Sequence, residues 1–209
     1  MNFTPNFKPD GTICDWLNKH AELSPDKICY QFSNGDSDLT WSALFDKVNK
    51  IAKYLVKLNI NKGDSIAICM SNGRPALQIF YAILYGGFRV TPLNLAAGPA
   101  ALGHAISHSK CKHIFVDDPQ LETLNNALLE TDTNPKIINV SNSLIEETDP
   151  SIKLHDISPS DHALLMYTSG TTGVPKGVIH THSSLLAGGW TTAVAHNLQS
   201  SDRALCVLP

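Results

Sequence analysis

The sequence predicts an α/β protein in which helices cover both faces of a mainly parallel sheet, giving a three-layer arrangement. First, short β-prone segments alternate with segments of helical periodicity, the order expected of β-α-β units. Second, residues 75–85 form a largely apolar helical segment, which favours a buried helix against a sheet. Third, hydrophobic residues make up 43% of the 209 residues and charged residues 17%, so a substantial core can form.

The clearest element is an amphipathic helix over residues 41–59. Its apolar residues recur at the 3.6-residue period, whereas lysines and Asp46 occupy the opposite face. Thr40 is placed to cap the N-terminus of this helix. The sequence Asn-Lys-Gly-Asp at 61–64 supplies the stop.

The remaining elements follow in alternation. Strands are predicted over residues 65–70, 88–91, 112–116, 136–140, 163–167, 177–180 and 204–208. Further helices are predicted over residues 75–85, 100–108, 120–130 and 185–196. The polar segment 141–160 is predicted to be a linker, which divides the chain into subregions 1–150 and 160–209. The strands after Ser160 either join the first sheet or begin a second one.

Bulk properties exclude several classes of protein. A net charge of −3 and a pI near 6.3 leave no basic surplus for nucleic acid. The N-terminal residues contain no apolar signal segment, and the most apolar window, 77–84, is far shorter than the roughly 20 residues of a membrane span. Scattered cysteines without a CxxC pair indicate reduced thiols. They are Cys14, Cys29, Cys69, Cys111 and Cys206. We expect a soluble, cytoplasmic protein.

One segment carries most of the chemical information. Residues 167–177 read Tyr-Thr-Ser-Gly-Thr-Thr-Gly-Val-Pro-Lys-Gly between two predicted strands. Its three glycines let backbone N–H groups turn toward one point and approach a ligand closely. Its hydroxyl groups add donors, and Lys176 adds a charge suited to phosphate. Pro175 stiffens the chain immediately before that lysine. The segment is therefore predicted to bind a polyphosphate.

Two other interpretations fit this segment less well. Flexible Gly- and Ser-rich surface loops rarely lie between two apolar strands and end in a lysine. A P-loop requires the spacing G-x-x-x-x-G-K-[ST] at the start of a helix. Here Pro175 stands five residues after Gly170, and Lys176 is followed by Gly177 in a segment with strand character. The P-loop spacing therefore fails.

The segment 167–177 resembles the signature loop of the adenylate-forming superfamily, which comprises acyl-CoA synthetases, aryl-CoA ligases, peptide-synthetase adenylation domains and luciferases. Other motifs keep the order of that family, so the resemblance covers essentially the whole chain. They are Leu-Thr-Trp at 39–41 with Leu44, Lys-Gly-Asp at 62–64 with Ile-Ala-Ile at 66–68 and Asn72, residues 81–87 with Pro-Leu-Asn at 92–94, and His-Thr-His at 180–182. Two scaffold positions depart from it, since Ala43 and the alanines before Leu102 stand where glutamate is usual.

The resemblance implies a two-step reaction. A small-molecule carboxylate, fatty or aryl, attacks the α-phosphorus of ATP bound with Mg²⁺, and coenzyme A then displaces AMP from the acyl-adenylate. Lys176 would hold the loop and add positive charge, and His182, which matches the usual histidine of the family, is expected beside the loop. The residues expected to contact the β- and γ-phosphates are Thr168, Ser169, Gly170, Thr171, Thr172 and Gly173.

The resemblance also implies that residues 1–209 form an incomplete N-terminal AMP-binding domain without the C-terminal domain. No complete catalytic set and no coenzyme A site is then expected in this chain, and the chain alone is expected to have negligible ligase activity. Exposed apolar surface would favour a homodimer. The alternatives are the adenylation domain of a peptide synthetase and a non-catalytic module that binds nucleotide or a partner.

Two further residue types have simpler interpretations. His180 and His182 would lie on one face of a strand and could pair on a metal ion. No third ligand at suitable spacing accompanies them, so no zinc site is predicted. The other histidines are expected to be ordinary surface or core residues. The three tryptophans are expected to be core aromatics, namely Trp16, Trp41 and Trp190.

Overall fold

The computed structural model describes residues 8–140, 149, 151–168 and 175–206. The described helices are α1 (Ile13–Leu23), α2 (Trp41–Lys57), α3 (Arg74–Tyr85), α4 (Pro99–Ser109), α5 (Leu121–Leu128) and α6 (His182–Ala195). The described strands are β1 (Ile28–Tyr30), β2 (Leu39–Thr40), β3 (Ser65–Cys69), β4 (Arg89–Pro92), β5 (His113–Val116), β6 (Lys136–Asn139), β7 (His162–Thr168) and β8 (Lys176–Thr181). A 3-10 turn, Asp118–Gln120, precedes α5.

Six of the described strands form one sheet in the order β6-β5-β3-β4-β7-β8. The neighbours from β6 to β7 are parallel, and only the edge strand β8 runs antiparallel, to β7. The prediction of a mainly parallel sheet is therefore confirmed. Because β7 pairs with β4, the strands after Ser160 join the first sheet. The division into subregions stays a prediction, and residues 141–148 and 150 of the predicted linker lie outside the described residues.

Helices cover both faces of the sheet, as the alternation along β3 illustrates. Ile66 and Ile68 point into a core cluster that also contains the buried faces of α2 and α3. Ala67 and Cys69 point the other way, into a cluster built with α4 and α5. Successive residues of a strand face opposite sides, so a strand buried on both faces carries apolar residues at every position. The predicted three-layer arrangement is confirmed.

Helix α2 forms where its periodicity predicts. Its buried positions recur every three or four residues, with one adjacent pair, Ile51 and Ala52. They are Leu44, Val48, Ile51, Ala52 and Leu55. The Thr40 hydroxyl accepts a hydrogen bond from the backbone N–H of Ala43 at 3.3 Å, which confirms the predicted cap. Asn59 follows the helix with a φ of 57°, the left-handed conformation that often ends a helix.

Several expectations about element ends were wrong for local reasons. The last helix was predicted over 185–196 but begins at His182, because Thr181 and Ser184 form a reciprocal capping box. A similar box between Thr12 and Asp15 starts α1, which the sequence analysis did not assign. The strand predicted over 204–208 does not form in its described part, where residues 204–206 pair with no strand.

The tryptophans are not the fully buried core aromatics that were expected. All three are only partly buried. Trp41 packs against the core while its ring stacks on His20, with centroids 4.5 Å apart. Trp16 donates its indole N–H to the backbone oxygen of Asp10 at 2.9 Å. Indole has a large apolar ring and a polar N–H. Partial burial lets the ring pack against apolar residues while the N–H finds a hydrogen-bond partner.

Gly103 allows α4 to pack closely on α5. A Cβ atom at this position would lie 2.8 Å from the Ala127 backbone oxygen and 2.8 Å from Cβ of Glu130. We expect Gly103→Ala to lower the free energy of unfolding, because overpacking costs about 1–3 kcal/mol and a gain in helix propensity of about 1 kcal/mol offsets only part of it.

Gly188 of α6 is the matched control, because a Cβ there meets no atom within 4 Å. Gly188→Ala should therefore stabilise the chain by up to about 1 kcal/mol. Urea denaturation of both variants measures the difference. If Gly103→Ala stabilised the chain as much as Gly188→Ala does, the close packing of α4 on α5 would be disproved.

Candidate functional site

The conspicuous segment of the sequence joins two paired strands. Strand β7 ends at Thr168, and β8 begins at Lys176. These two residues are Cα partners in the antiparallel pair. Since β7 is also parallel to β4, Thr168 lies at the carboxyl end of the parallel strands. In open α/β sheets, ligands bind at this edge. The hairpin therefore brings the two flanks of the segment together where a ligand site is expected.

The structure describes only some of the predicted site residues. Thr168 and Lys176 are described, adjacent and exposed. Directly opposed residues of an antiparallel pair project their side chains to the same face, so a hydroxyl and an ammonium group lie next to each other. The other residues predicted to contact phosphate lie outside the described residues, namely Ser169, Gly170, Thr171, Thr172 and Gly173.

The face that carries Thr168 and Lys176 is accessible. Met166 and Val178, the next residues on that face of each strand, retain 46% and 40% of their exposure. A charged lysine with an adjacent hydroxyl group can donate several hydrogen bonds to an anion. The described part of the site therefore suits a phosphate group.

Helix α4 packs on the opposite face of the hairpin. A Cβ atom added at Gly177 would lie 3.5 Å from Cε1 of His108, an ordinary van der Waals distance. Tyr167, the partner of Gly177, packs against the core cluster formed with α4 and α5. The hairpin end is thus supported from one side and open on the other.

Two histidines of α4 contact the flanks of the segment. The ring nitrogen Nδ1 of His108 lies 2.8 Å from the hydroxyl oxygen of Tyr167. The ring nitrogen Nε2 of His104 lies 3.2 Å from the backbone oxygen of Pro175. The two imidazole rings stack with centroids 5.5 Å apart, and Tyr167 meets both edge-on. Burial raises the pKa of the Tyr167 hydroxyl to about 12.

The sequence analysis missed these two residues. It treated His104 and His108 as ordinary histidines. Their spacing of four residues within the helix predicted over 100–108 was the available signal, because residues four apart lie on one face of a helix. Their contact with residues 167 and 175 depends on tertiary structure and could not be derived from spacing.

An open cleft of about 430 Å³ adjoins the hairpin at the start of α4. It lies between the loop that precedes the helix, the first turn of the helix and the residue before Lys176. The described residues that line it are Ala97, Gly98, Pro99, Ala100, Ala101, His104 and Pro175. His104 therefore faces the cleft and also contacts the hairpin.

His182 is not brought together with Thr168 and Lys176. It is the first residue of α6, directly after β8. The six residues of β8 place the two ends of that strand roughly 17 Å apart at about 3.3 Å per residue. The side chain is 1% exposed, and its Nδ1 has no hydrogen-bond partner. The assignment of His182 to a nucleotide site stays a prediction.

The surroundings of His182 fix the opposite end of the hairpin. Its backbone N–H donates to the Asp161 backbone oxygen at 3.2 Å. The Asp161 carboxylate pairs with the Lys62 ammonium group at 2.7 Å and accepts from the Ser158 N–H at 2.8 Å. These bonds to Lys62 and Ser158 lower the pKa of Asp161. Desolvation by burial lowers the pKa of His182, although Asp161 and Asp15 act in the opposite direction.

The described residues contain no metal centre. No three His, Cys, Asp or Glu side chains among residues 8–140, 149, 151–168 and 175–206 are close enough together to hold a metal ion. His180 lies on β8 whereas His182 lies in α6, so the two do not share one strand. The same described ranges include no helix with the length and apolar character needed to cross a bilayer.

Comparison with known proteins agrees with this geometry. The family model described as "AMP-binding enzyme" matches residues 17–209. The 2-succinylbenzoate–CoA ligase of Bacillus licheniformis is 29% identical over 195 residues, which is 93% of this chain and 39% of that protein. The nonribosomal peptide synthetase gloA of Glarea lozoyensis is 29% identical over 178 residues, which is 84% of this chain and 2% of that protein.

A solved structure is similar over nearly the whole chain. O-succinylbenzoate coenzyme A synthetase from Bacillus subtilis, in complex with AMP, superposes with a TM-score of 0.80 at 26% identity. The match covers 93% of this chain and 49% of that one. The fold places the chain in the α/β class with a mainly parallel sheet. The chain belongs to the family of AMP-binding enzymes. It spans about two fifths of the length of the curated CoA ligase it matches.

Because the pKa of His182 is lowered, acid should destabilise the fold. The unfolded chain, with an ordinary histidine pKa of about 6.5, binds more protons than the folded chain just below that pH. The free energy of unfolding should therefore fall as the pH decreases from about 7.5 to 5. Urea denaturation across this range measures the slope.

We expect His182→Gln to reduce that slope without abolishing it, because burial also lowers the pKa of His20 and His113. His196→Gln is the control, since His196 is exposed after the end of α6. An unchanged slope in His182→Gln would show that His182 does not titrate with folding.

Proposed function

We propose that this chain forms the phosphate-binding part of an ATP-dependent carboxylate–CoA ligase that acts through an acyl-adenylate. The observation that carries the proposal is the pairing of Thr168 with Lys176 at the carboxyl edge of the sheet. Family membership supports the chemistry, and the CoA ligases among the relatives support the thiol acceptor.

The physical problem in such a reaction is negative charge. A carboxylate anion must attack the α-phosphorus of a polyanion, and pyrophosphate must leave with additional charge. Preorganised donors and cations around the phosphates lower this barrier because they need no reorganisation during the reaction. An exposed ammonium group beside a hydroxyl group is a donor pair of this kind.

The predicted site residues other than His182 each have a role in this proposal. Lys176 would supply the positive charge, and Thr168 would donate its hydroxyl group to a phosphate oxygen. The backbone N–H groups and hydroxyls of residues 169–173 would complete the contacts to the β- and γ-phosphates. Mg²⁺ would enter the site bound to the phosphates of ATP, as part of the substrate.

The acid substrate would be a fatty or aryl carboxylate, and the thiol would be coenzyme A. The similarity to a peptide synthetase favours one alternative, an adenylation domain that activates an amino acid. Because the chain alone is expected to have negligible activity, ATP–pyrophosphate exchange is measured in a full-length protein that contains this chain, and it separates the two. Exchange driven by aliphatic or aromatic acids favours the ligase, and exchange driven by amino acids favours the synthetase.

Loss of the Lys176 charge should weaken nucleotide binding without unfolding the chain. A charge-assisted hydrogen bond contributes about 1.5–3 kcal/mol. At 1.4 kcal/mol per factor of ten, we expect Lys176→Ala to raise the Kd for MgATP about ten- to hundredfold. Isothermal titration measures the Kd, and circular dichroism verifies the fold, which should be unchanged because Lys176 is exposed.

Lys50→Ala is the matched control, since Lys50 is an exposed lysine of α2. The Lys50→Ala substitution removes the same charge from helix α2, which packs with α3. Because distant exposed charges interact weakly, the Kd of this variant for MgATP should stay within about twofold of wild type. If both substitutions raised the Kd equally, Lys176 would act only through the net charge of the chain and not through contact with phosphate. Unchanged binding in Lys176→Ala would contradict the proposed site.

A further inference from the structure

Helix α4 contacts both flanks of the segment that joins β7 to β8. Its His108 reaches Tyr167, the residue before Thr168, and its His104 reaches Pro175, the residue before Lys176. Each contact is a hydrogen bond to the neighbour of a proposed phosphate-binding residue.

We propose that His104 and His108 are positioning residues, which hold the two flanks so that Thr168 and Lys176 meet a polyphosphate in a fixed geometry. This inference rests on the proposed function of the same site. The histidines act from the face opposite to the side chains they position, so they do not touch the phosphate themselves.

The chemistry of the His104 contact shows which ring nitrogen carries a proton. A backbone carbonyl can only accept a hydrogen bond, so the Nε2 of His104 must carry a proton and donate it to the Pro175 oxygen. This bond holds the chain at the residue immediately before Lys176. Proline lacks a backbone N–H and has a fixed φ, so its carbonyl is a well-defined anchor.

The His108 contact holds the other flank in either tautomer. The Tyr167 hydroxyl group can donate to an unprotonated Nδ1 or accept from a protonated one. The edge-on contact of the tyrosine with both imidazole rings adds a second restraint on the same residue. Tyr167 is thus held through its hydroxyl group and through its ring.

His108 also lies beside Gly177, the residue after Lys176. A Cβ atom added there would be 3.5 Å from Cε1 of His108, an ordinary van der Waals distance. Tyr167 and Gly177 are partners in the hairpin, so α4 contacts both strands at the same residue pair. The next residue pair along the hairpin is Thr168 and Lys176.

The experiment separates positioning from general stability. Amide hydrogen exchange followed by NMR reports the rigidity of the hairpin end at Thr168 and Gly177. Successive pairs of an antiparallel ladder alternate between bonded and non-bonded, so the amide of the bonded pair carries the signal. Ile66 in the central strand β3 serves as the internal reference. Titration with magnesium tripolyphosphate reports the phosphate site directly. The variants are His104→Ala, His104→Gln and Tyr167→Phe, and His196→Gln is the matched control.

We expect His104→Ala to speed exchange at Thr168 and Gly177 and to raise the Kd for tripolyphosphate roughly three- to tenfold, the effect of one neutral hydrogen bond. Exchange at Ile66 should not change. His104→Gln should restore both readouts, because its amide N–H can donate to the Pro175 oxygen. Tyr167→Phe should speed exchange at Thr168, since it removes the bond to His108 and keeps the ring.

Three results would overturn the inference. They are unchanged exchange at Thr168 and Gly177 in His104→Ala, faster exchange that includes Ile66, and a His104→Gln variant that behaves like His104→Ala. If the wild-type chain did not bind tripolyphosphate, the proposed function would fail separately. The exchange results would then still decide whether the histidines hold the hairpin.

Discussion

The site depends on one interaction, the antiparallel pairing of β7 with β8 at the edge of a parallel sheet. This pairing places Thr168 opposite Lys176 and sends both side chains to an accessible face. The parallel pairing of β7 with β4 fixes the hairpin in the core, because Ala163 and Leu164 are buried there. Helix α4 supports the other face through Tyr167 and Gly177. Rigid strands therefore present the flanks of a segment rich in phosphate-binding residue types.

Much of this arrangement could be predicted from the sequence. The period of α2 and the cap at Thr40 are local signals, and both were confirmed. The apolar strands and helices predicted the layers, because a strand such as β3 that is apolar at every position must be covered on both faces. The composition of residues 167–177 predicted phosphate chemistry before any contact was known.

The remaining features depend on contacts between residues distant in sequence. Residues 104 and 175 are 71 positions apart, and residues 108 and 167 are 59 apart. A spacing of four within a helix reveals a shared face but not what that face contacts. The resemblance implied that His182 lies beside the loop, and its role in a nucleotide site stays a prediction. Strand β8 separates it from Lys176 and places it at the other end of the hairpin. There it is buried at the start of α6.

A crystal structure of the chain with MgATP tests the central claim most directly. The account predicts phosphate oxygens within about 3 Å of Nζ of Lys176 and of the hydroxyl oxygen of Thr168, the distance of a charge-assisted hydrogen bond. It also predicts that Tyr167 and Pro175 keep their bonds to the histidines of α4. Triphosphate bound at another edge of the sheet, with the Lys176 ammonium group directed away from it, would contradict the account.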